Sequence, residues 1–410
     1  MELWVLILGF FAGAYMAWNI GANDVANGMA SPVGAKAITL RQALIIGAIL
    51  DFSGAVLLGA HVTSTITKGI IDLEAVSFAP QVLMLGFLAA LLSASFWVFV
   101  STWCQYPVST THSIVGALIG VGLMEGGLRA IHWGKLGFIV MSWIVSPVFA
   151  GVVAFLIFVS IRRLILRSYD VFDQTVKWSP LFGGITFFVV LVSIFLGTSF
   201  GARFKYVASV GVLVALIVAI SVGFAIQIWA KRMLKAGTKT GNPAEDVFRK
   251  LQIFTACYVA FAHGANDVAN AVGPLAAIYA IYKTGMITSK TVVPFWMLAI
   301  GGGFIALGVF MWGHKVIETV GHKITELNNT RGYAVDFGTA TSVLVASKLG
   351  LPVSTTHAAV GAVVGVGLAG GMAAVDLGVV WRIISYWVAT IPLSAIPAMI
   401  IFKLLKFIFL

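Results

Sequence analysis

Charged residues are scarce in this chain. They make up 10% of its 410 residues, whereas 60% are hydrophobic. Soluble domains carry about 25% charged residues, so the composition excludes an ordinary soluble protein. Long apolar runs reach or approach the ~20 residues that a helix needs to cross a bilayer. These runs are Val82 to Val100, Leu136 to Ser160, Leu181 to Gly197, Val207 to Ala230 and Val379 to Leu410. The sequence therefore predicts an integral membrane protein.

Three further absences narrow the class. The two-residue alternation of an outer-membrane barrel is missing, which leaves an all-α polytopic membrane fold. The two cysteines, Cys104 and Cys257, form no metal or disulfide pattern. The amino terminus carries Glu2 where a signal peptide would be positively charged. We therefore expect the first apolar stretch to be a retained span.

The positive charge is concentrated in two loops. The formal net charge is +11, and the basic residues of these loops are Arg162, Arg163, Arg167 and Lys177 in one, and Lys231, Arg232, Lys235, Lys239, Arg249 and Lys250 in the other. Two predicted spans separate the loops, so both lie on the same side of the membrane. The positive-inside rule places them in the cytoplasm. No basic segment is interleaved with stacking aromatics, and we expect no nucleic-acid partner.

Two motifs occur twice, in the same order and at nearly the same separation. GANDVANG at Gly21 to Gly28 returns as GANDVANA at Gly264 to Ala271, and PVSTTH begins at Pro107 and again at Pro352. The repetition predicts a first transmembrane repeat over 1–160, basic loops with two connecting spans over 161–249, and a second repeat over 250–410. Apolar segments interrupted by Gly and Pro at matching positions favour a secondary transporter with broken helices or re-entrant hairpins.

PVSTTH has the composition of a helix start. Proline fits a first helical turn, and Ser or Thr caps the free N–H groups there. A helix start offers unpaired amides and the positive end of the dipole, which together bind anions. Capping alone explains one hydroxyl residue, but not three in succession in both copies. We interpret the two runs as paired anion cradles formed by Ser109, Thr110, Thr111, Ser354, Thr355 and Thr356.

GANDVAN places a carboxylate among amide side chains inside apolar sequence. Asp24 and Asp267 would be costly to bury uncompensated, and the neighbouring asparagines supply more oxygen ligands for a small cation. Glycine beside them permits an unwound backbone at both copies, whose carbonyls could also coordinate. The alternative is that Asn and Asp only cap a helix break and bond to neighbouring helices. A cation site beside an anion site suggests symport.

The paired motifs resemble the inorganic phosphate transporter (PiT) family, which comprises the type III sodium-phosphate cotransporters and their bacterial permease relatives. The resemblance implies two inverted repeats of about a dozen membrane segments, a homodimer, and phosphate transport with sodium or protons. It matches Asp24 and Asp267 to the motif aspartates and Ser109 and Ser354 to the motif serines. Two further acidic positions of the family, normally glutamates, are Asp51 and Asp336 in this sequence.

The sequence as a whole predicts a sodium-coupled phosphate symporter of the cytoplasmic membrane that works by alternating access, without a cofactor. The expected sodium ligands are Asn23, Asp24, Asn266, Asp267, Asp51 and Asp336, and phosphate is expected on the two Ser-Thr-Thr runs with Asn27 and Asn270. The alternatives are a permease coupled to protons or carrying metal-phosphate, and a membrane enzyme that acts on phosphorylated lipid. His112 and His357 are left between a proton relay and a structural role.

Overall fold

The computed structural model describes residues 1–60, 62–63, 70–71, 79–197, 207–286, 293–320, 327–371 and 376–410. The described chain is almost entirely helical. Its α-helices in order are α1 (Glu2–Asp24), α2 (Ala26–Gly34), α3 (Leu40–Leu58), α4 (Pro80–Trp103), α5 (Thr110–Gly126), α6 (Trp133–Ile161), α7 (Val171–Gly197), α8 (Val207–Lys235), α9 (Pro243–Thr284), α10 (Phe295–Val320), α11 (Asn329–Lys348), α12 (Thr355–Gly370) and α13 (Leu377–Phe409).

Within the described residues, 9 helical segments are long and apolar enough to cross a membrane. They include the predicted apolar runs, which lie in α4, α6, α7, α8 and α13. The prediction of an all-α, multi-pass membrane protein is therefore confirmed.

Two helical hairpins interrupt the regular spans. The first, α4 and α5, turns between Trp103 and Thr110, and the second, α11 and α12, turns between Lys348 and Thr355. The returning helices are short, with 17 residues in α5 and 16 in α12. Both returning helices begin three residues after the proline of PVSTTH, because the serine of the motif has an extended backbone and is the N-cap. The proline therefore precedes the helix and does not lie in its first turn.

Matching pairs of helices pack together in the two halves. α1 packs on α10 as α9 packs on α3, and α5 packs on α13 as α12 packs on α6. Glycine is required at these crossings, because a methyl group on Gly21 would collide with the carbonyl oxygen of Ile305, and one on Gly264 with that of Asp51. Each returning hairpin helix thus packs on the last helix of the opposite half, which brings the two hairpin tips together.

The two GANDVAN copies differ in backbone. The first contains a break, since α1 ends at Asp24 and α2 begins at Ala26. The second lies inside α9, which runs for 42 residues without interruption. An unwound segment at the second copy, as the sequence suggested, is absent from this described helix. The backbone at Val25 stays in the right-handed helical region, with φ −54° and ψ −28°, so even the first break is slight.

Candidate functional site

The two hairpin tips are hydrogen-bonded to one another at the start of α5 and α12. The hydroxyl of Thr111 donates to the carbonyl oxygen of Val353 at 3.1 Å, and that of Thr356 donates to the carbonyl oxygen of Val108 at 3.3 Å. Each bond joins one hairpin to the other. The threonines of both STT runs are buried, so the tips enclose a polar region inside an apolar helix bundle.

The remaining two threonines bind the motif aspartates. The Thr110 hydroxyl donates to Asp24 Oδ2 at 2.7 Å, and the Thr355 hydroxyl donates to Asp267 Oδ2 at 2.9 Å. Short hydrogen bonds to an ionised carboxylate are among the stronger ones in proteins. The predicted anion cradle and the predicted cation site therefore share hydrogen bonds in this structure.

Two motif asparagines reach across to the opposite hairpin. The amide of Asn27 donates to the hydroxyl oxygens of Thr355 and Thr356 at 3.1 and 3.0 Å. The amide of Asn270 donates to those of Thr110 and Thr111 at 3.3 and 3.1 Å. All the threonines and asparagines predicted to bind phosphate are thus gathered in one network.

Ser109 and Ser354 cap the two hairpin helices. The Ser109 hydroxyl oxygen accepts the backbone N–H of His112 at 3.1 Å, and that of Ser354 accepts the N–H of His357 at 3.3 Å. Each serine thereby satisfies one of the free donors at its helix start. Phosphate binding by these serines stays a prediction.

His263 joins three buried carboxylates. Its Nδ1 lies 2.9 Å from Asp51 Oδ1, and its Nε2 lies 3.2 Å from Asp267 Oδ2 and 3.8 Å from Asp24 Oδ2. Ligand atoms of Asp24, His263 and Asp267 lie within 4.8 Å of one another, close enough to contact a single small cation. Within the described residues, Asp24 Oδ1 and Asp51 Oδ2 are buried without a hydrogen-bond partner, which leaves coordinating oxygens available.

Sequence reasoning missed His263. The signal that could have found it is the residue immediately before the second motif: the first copy is preceded by Ile20, and the second by a histidine. A polar residue that replaces an apolar one next to a repeated site marks a place where the two halves differ.

Asn23 and Asn266 bind the hairpin tips. The Asn23 amide donates to Thr102 Oγ1 at 2.9 Å and to the Tyr106 carbonyl at 3.1 Å, and its oxygen accepts the Val108 N–H at 3.1 Å. The Asn266 amide donates to the Val353 carbonyl at 2.7 Å. These contacts connect each motif to the tip of the hairpin in its own half. Cation binding by Asn23 and Asn266 stays a prediction.

Asp336 lies in a separate polar pocket. Its carboxylate faces the hydroxyls of Ser31 and Thr255, yet within the described residues neither oxygen has a hydrogen-bond partner of standard geometry. Thr255 precedes His263 on α9 by about 12 Å along the helix axis, so this pocket is distinct from the three-carboxylate cluster. The amide of Gln252 donates to Ser31 Oγ at 2.8 Å and completes the pocket.

His112 and His357 form an aromatic cluster with two tryptophans, in which the two imidazole rings meet edge to face. Their ring centroids are 4.4 Å apart, and each ring lies against a tryptophan, Trp143 or Trp387. Nδ1 of each histidine lies 3.3 Å from the carbonyl oxygen of the tryptophan that stacks on the other. The cluster joins both hairpins to α6 and α13, which supports the structural interpretation of the two histidines.

Comparison with known proteins decides the family. The family model described as the phosphate transporter family matches residues 20–398. The chain belongs to this family. Both motif pairs of the resemblance lie within the matched residues, and the predicted family membership is confirmed. Members of the family are phosphate transporters and permeases rather than enzymes.

Similar proteins extend over the whole chain. A predicted phosphate permease from Pyrococcus abyssi is 47% identical over 99% of this chain and 98% of its own length. An inorganic phosphate transporter of Arabidopsis thaliana, a chloroplastic protein, is 39% identical over 95% of this chain and 70% of its own length. A solved structure of a sodium-dependent phosphate transporter matches with a TM-score of 0.91 and 44% identity, covering 98% of this chain and 99% of that chain.

Proposed function

We propose that this protein is a sodium-coupled phosphate symporter in which sodium binding at the motif aspartates frees threonine hydroxyls to bind phosphate. Supporting it are the family membership, the similarity to a solved sodium-dependent phosphate transporter and, above all, the hydrogen bonds between the cradle threonines and the motif aspartates. Each threonine hydroxyl has a single hydrogen to donate. All four are donated to protein acceptors in this arrangement.

These hydrogen bonds predict an order of ion binding. A sodium ion between Asp24 and Asp267 would neutralise carboxylates that now attract the hydroxyls of Thr110 and Thr355. The two hydroxyls could then rotate and donate to a phosphate oxygen, while Asn27 and Asn270 also lie within reach of the cradle. Removing the carboxylate charge also removes a repulsion between the site and the anion. Sodium therefore binds first and prepares the phosphate site.

The pocket supplies ligands that suit a hard monovalent cation. Asp24 and Asp267 offer carboxylate oxygens. Asp51 is linked to them by His263, whose Nδ1 contacts Asp51 and whose Nε2 contacts Asp267. Pro274 has no N–H, so the carbonyl of Asn270 lacks its usual helical donor. That carbonyl is a candidate backbone ligand beside the cluster.

Asp336 is proposed as a second cation ligand, at a different position from the cluster. A carboxylate buried without a standard hydrogen bond is costly, and Ser31, Thr255 and the buried Gln252 Oε1, which has no partner among the described residues, would complete an oxygen-lined pocket. Occupation of this pocket by sodium would satisfy the Asp336 oxygens and Gln252 Oε1. Two cations with one singly charged phosphate would carry the net positive charge that lets membrane potential drive accumulation, by about 2.3 kcal/mol per net charge per 100 mV.

Uptake of labelled phosphate into proteoliposomes tests the coupling. An inward sodium gradient at equal pH on both sides should drive uphill uptake, and an equal proton gradient without sodium should not. His263 among three aspartates is the observation that favours the proton-coupled alternative, which predicts the opposite pattern. Uphill uptake under the proton gradient alone would contradict sodium coupling.

The larger-scale parts of the proposal follow the repeat organisation. We propose that residues 1–160 and 250–410 are inverted repeats, joined by 161–249, and that access alternates between the two faces of the paired hairpins. The family resemblance further supports a homodimer in the cytoplasmic membrane. Cross-linking of the purified protein tests the homodimer. Labelling of loop residues from each side tests the orientation of the repeats and the alternation of access.

A further inference from the structure

The tip of the first hairpin changes from exposed to buried within a few residues. Trp103 is 62% exposed and Tyr106 45% exposed, and Cys104 between them is exposed as well, whereas Thr110 is 2% exposed. Tyr106 and Val108 are both bonded to Asn23 of the first motif. The segment from Trp103 to Tyr106 therefore lies between the buried threonine network and the exposed surface of the protein.

Two basic side chains lie on either side of this tip. Lys315 of α10 places Nζ 4.9 Å from the ring centroid of Trp103 and 3.7 Å from that of Trp312. On the other side, Tyr106 lies against Tyr386 of α13 with 5.0 Å between ring centroids, and Arg382 is four residues before Tyr386 on the same face of that helix. Lys315 is thus held next to the tip by aromatic contacts, and Arg382 lies one helical turn from the tyrosine that contacts Tyr106.

Both basic residues lie at the same depth from the same side. Lys315 precedes the end of α10 at Val320 by five residues, and Arg382 follows the start of α13 at Leu377 by five residues, about 8 Å along each axis. The basic loops put the ends of α6 and α8 in the cytoplasm, and continuing the chain through α9 puts the end of α10 and the start of α13 there too. The acidic Asp376 near Arg382 is bonded to the N–H groups of Gly378 and Val379 in its own helix start.

We infer that the tip of the first hairpin forms the floor of a water-filled cytoplasmic vestibule, in which Lys315 and Arg382 receive the phosphate oxyanion as it leaves the cradle. This inference rests on the proposed function for the identity of the anion. The vestibule itself rests only on the geometry. Two positive charges beside a narrow exit would raise the local concentration of an anion and draw it off the neutralised site.

Cys104 is a natural reporter of this vestibule. The chain contains 2 cysteines, and Cys257→Ala leaves Cys104 as the sole thiol. The experiment compares modification by a negatively charged and a positively charged methanethiosulfonate reagent in inside-out and right-side-out vesicles. We expect fast reaction in inside-out vesicles only, with the anionic reagent favoured on the order of ten-fold over the cationic one.

Neutralising the basic pair supplies the decisive comparison. Lys315→Gln with Arg382→Gln should bring the ratio of the two reagent rates close to one while Cys104 stays reactive. Equal rates of the two reagents in the protein that keeps Lys315 and Arg382 would overturn the inference. Reaction only from the extracellular side, or no reaction at all, would overturn it too. If Cys257→Ala does not fold, subtraction of labelling in Cys104→Ala from the parent protein gives the same rate.

Protection of Cys104 by inorganic phosphate tests separately whether phosphate is the anion that enters the vestibule. Inorganic phosphate should slow the anionic reagent at Cys104 more than an equal ionic strength of chloride does. Charge-selective labelling without such protection would keep a basic vestibule but contradict phosphate release through it. Absence of sodium-driven uptake combined with charge-selective labelling would contradict the proposed coupling instead.

Discussion

At the scale of single residues, the centre of this protein is the bond between a threonine hydroxyl and an aspartate. Thr110 with Asp24 and Thr355 with Asp267 connect the proposed anion cradle to the proposed cation pocket in each half. Each hydroxyl hydrogen can be donated either to an aspartate or to phosphate, so under the proposed function sodium binding at the aspartates changes the phosphate site. The proposed coupling thus acts through these two hydrogen bonds.

Neutralising a motif aspartate should remove the dependence on sodium. Asp24→Asn or Asp267→Asn keeps the size of the side chain but removes the charge that attracts the cation. We expect phosphate uptake to fall at least ten-fold and to lose its response to sodium, measured in proteoliposomes. Asp173→Asn, an exposed residue near the start of α7, is the matched control and should transport normally. Normal sodium-dependent transport by both motif variants would refute the assignment.

Removing His263 should destabilise the protein in the absence of sodium. His263→Ala leaves three buried carboxylates without the imidazole that bridges them, and loss of one partner in a buried charged cluster costs about 3–5 kcal/mol. We expect a lower thermal unfolding midpoint in detergent, with partial recovery on adding sodium. His132→Ala, which loses only a helix cap, should cost about 1 kcal/mol. An equal loss in both variants would contradict the bridging role.

The sequence predicted most of the polar residues that meet in the network, but not how they pair. Repeated hydroxyl and carboxylate residues in apolar sequence indicated an anion cradle and a cation site. That Asn27 of the first half reaches the second hairpin, and Asn270 the first, depends on how distant helices cross. Asp336 was grouped with Asp51 among the expected sodium ligands, yet it lies in its own pocket, about 12 Å along α9 from His263.

At the scale of elements, the hairpins and the glycine crossings position the site. The short helices α5 and α12 begin at the two hairpin tips, and hydrogen bonds between the tips hold their N-termini together. Gly264 lets α9 approach the backbone of Asp51 on α3, and this approach holds Asp51 next to His263. The sequence predicted helix starts at both PVSTTH motifs, whereas the continuity of α9 through the second GANDVANA was not predictable from a repeat alone.

A methyl group at the α3–α9 crossing should therefore disturb the cation pocket. Gly264→Ala has to displace the backbone of Asp51, and overpacking of this kind costs about 1–3 kcal/mol. We expect a lower unfolding midpoint and a weaker apparent affinity for sodium in uptake assays. Gly303→Ala in α10, where an added Cβ meets nothing within 4 Å, should leave both unchanged or raise stability slightly. Similar behaviour of the two variants would contradict the requirement for close packing at Gly264.

At the scale of the whole molecule, two similar halves share one site. Each half contributes a motif aspartate, an asparagine that crosses over, and a hairpin tip. The duplication was evident from the sequence, as was a multi-pass helical fold. The sequence did not predict the exchange of packing partners, in which α5 packs on α13 and α12 on α6. That arrangement arises from tertiary packing between distant segments.

The most direct test of ion coupling through shared hydroxyls is equilibrium binding of labelled phosphate to the purified protein over a series of sodium concentrations, with choline replacing sodium. Shared threonine hydroxyls predict that saturating sodium tightens phosphate binding by roughly 5–150-fold and that phosphate tightens sodium binding by the same factor. Thr110→Val with Thr355→Val should weaken both effects. A phosphate affinity that does not change with sodium would contradict the central claim.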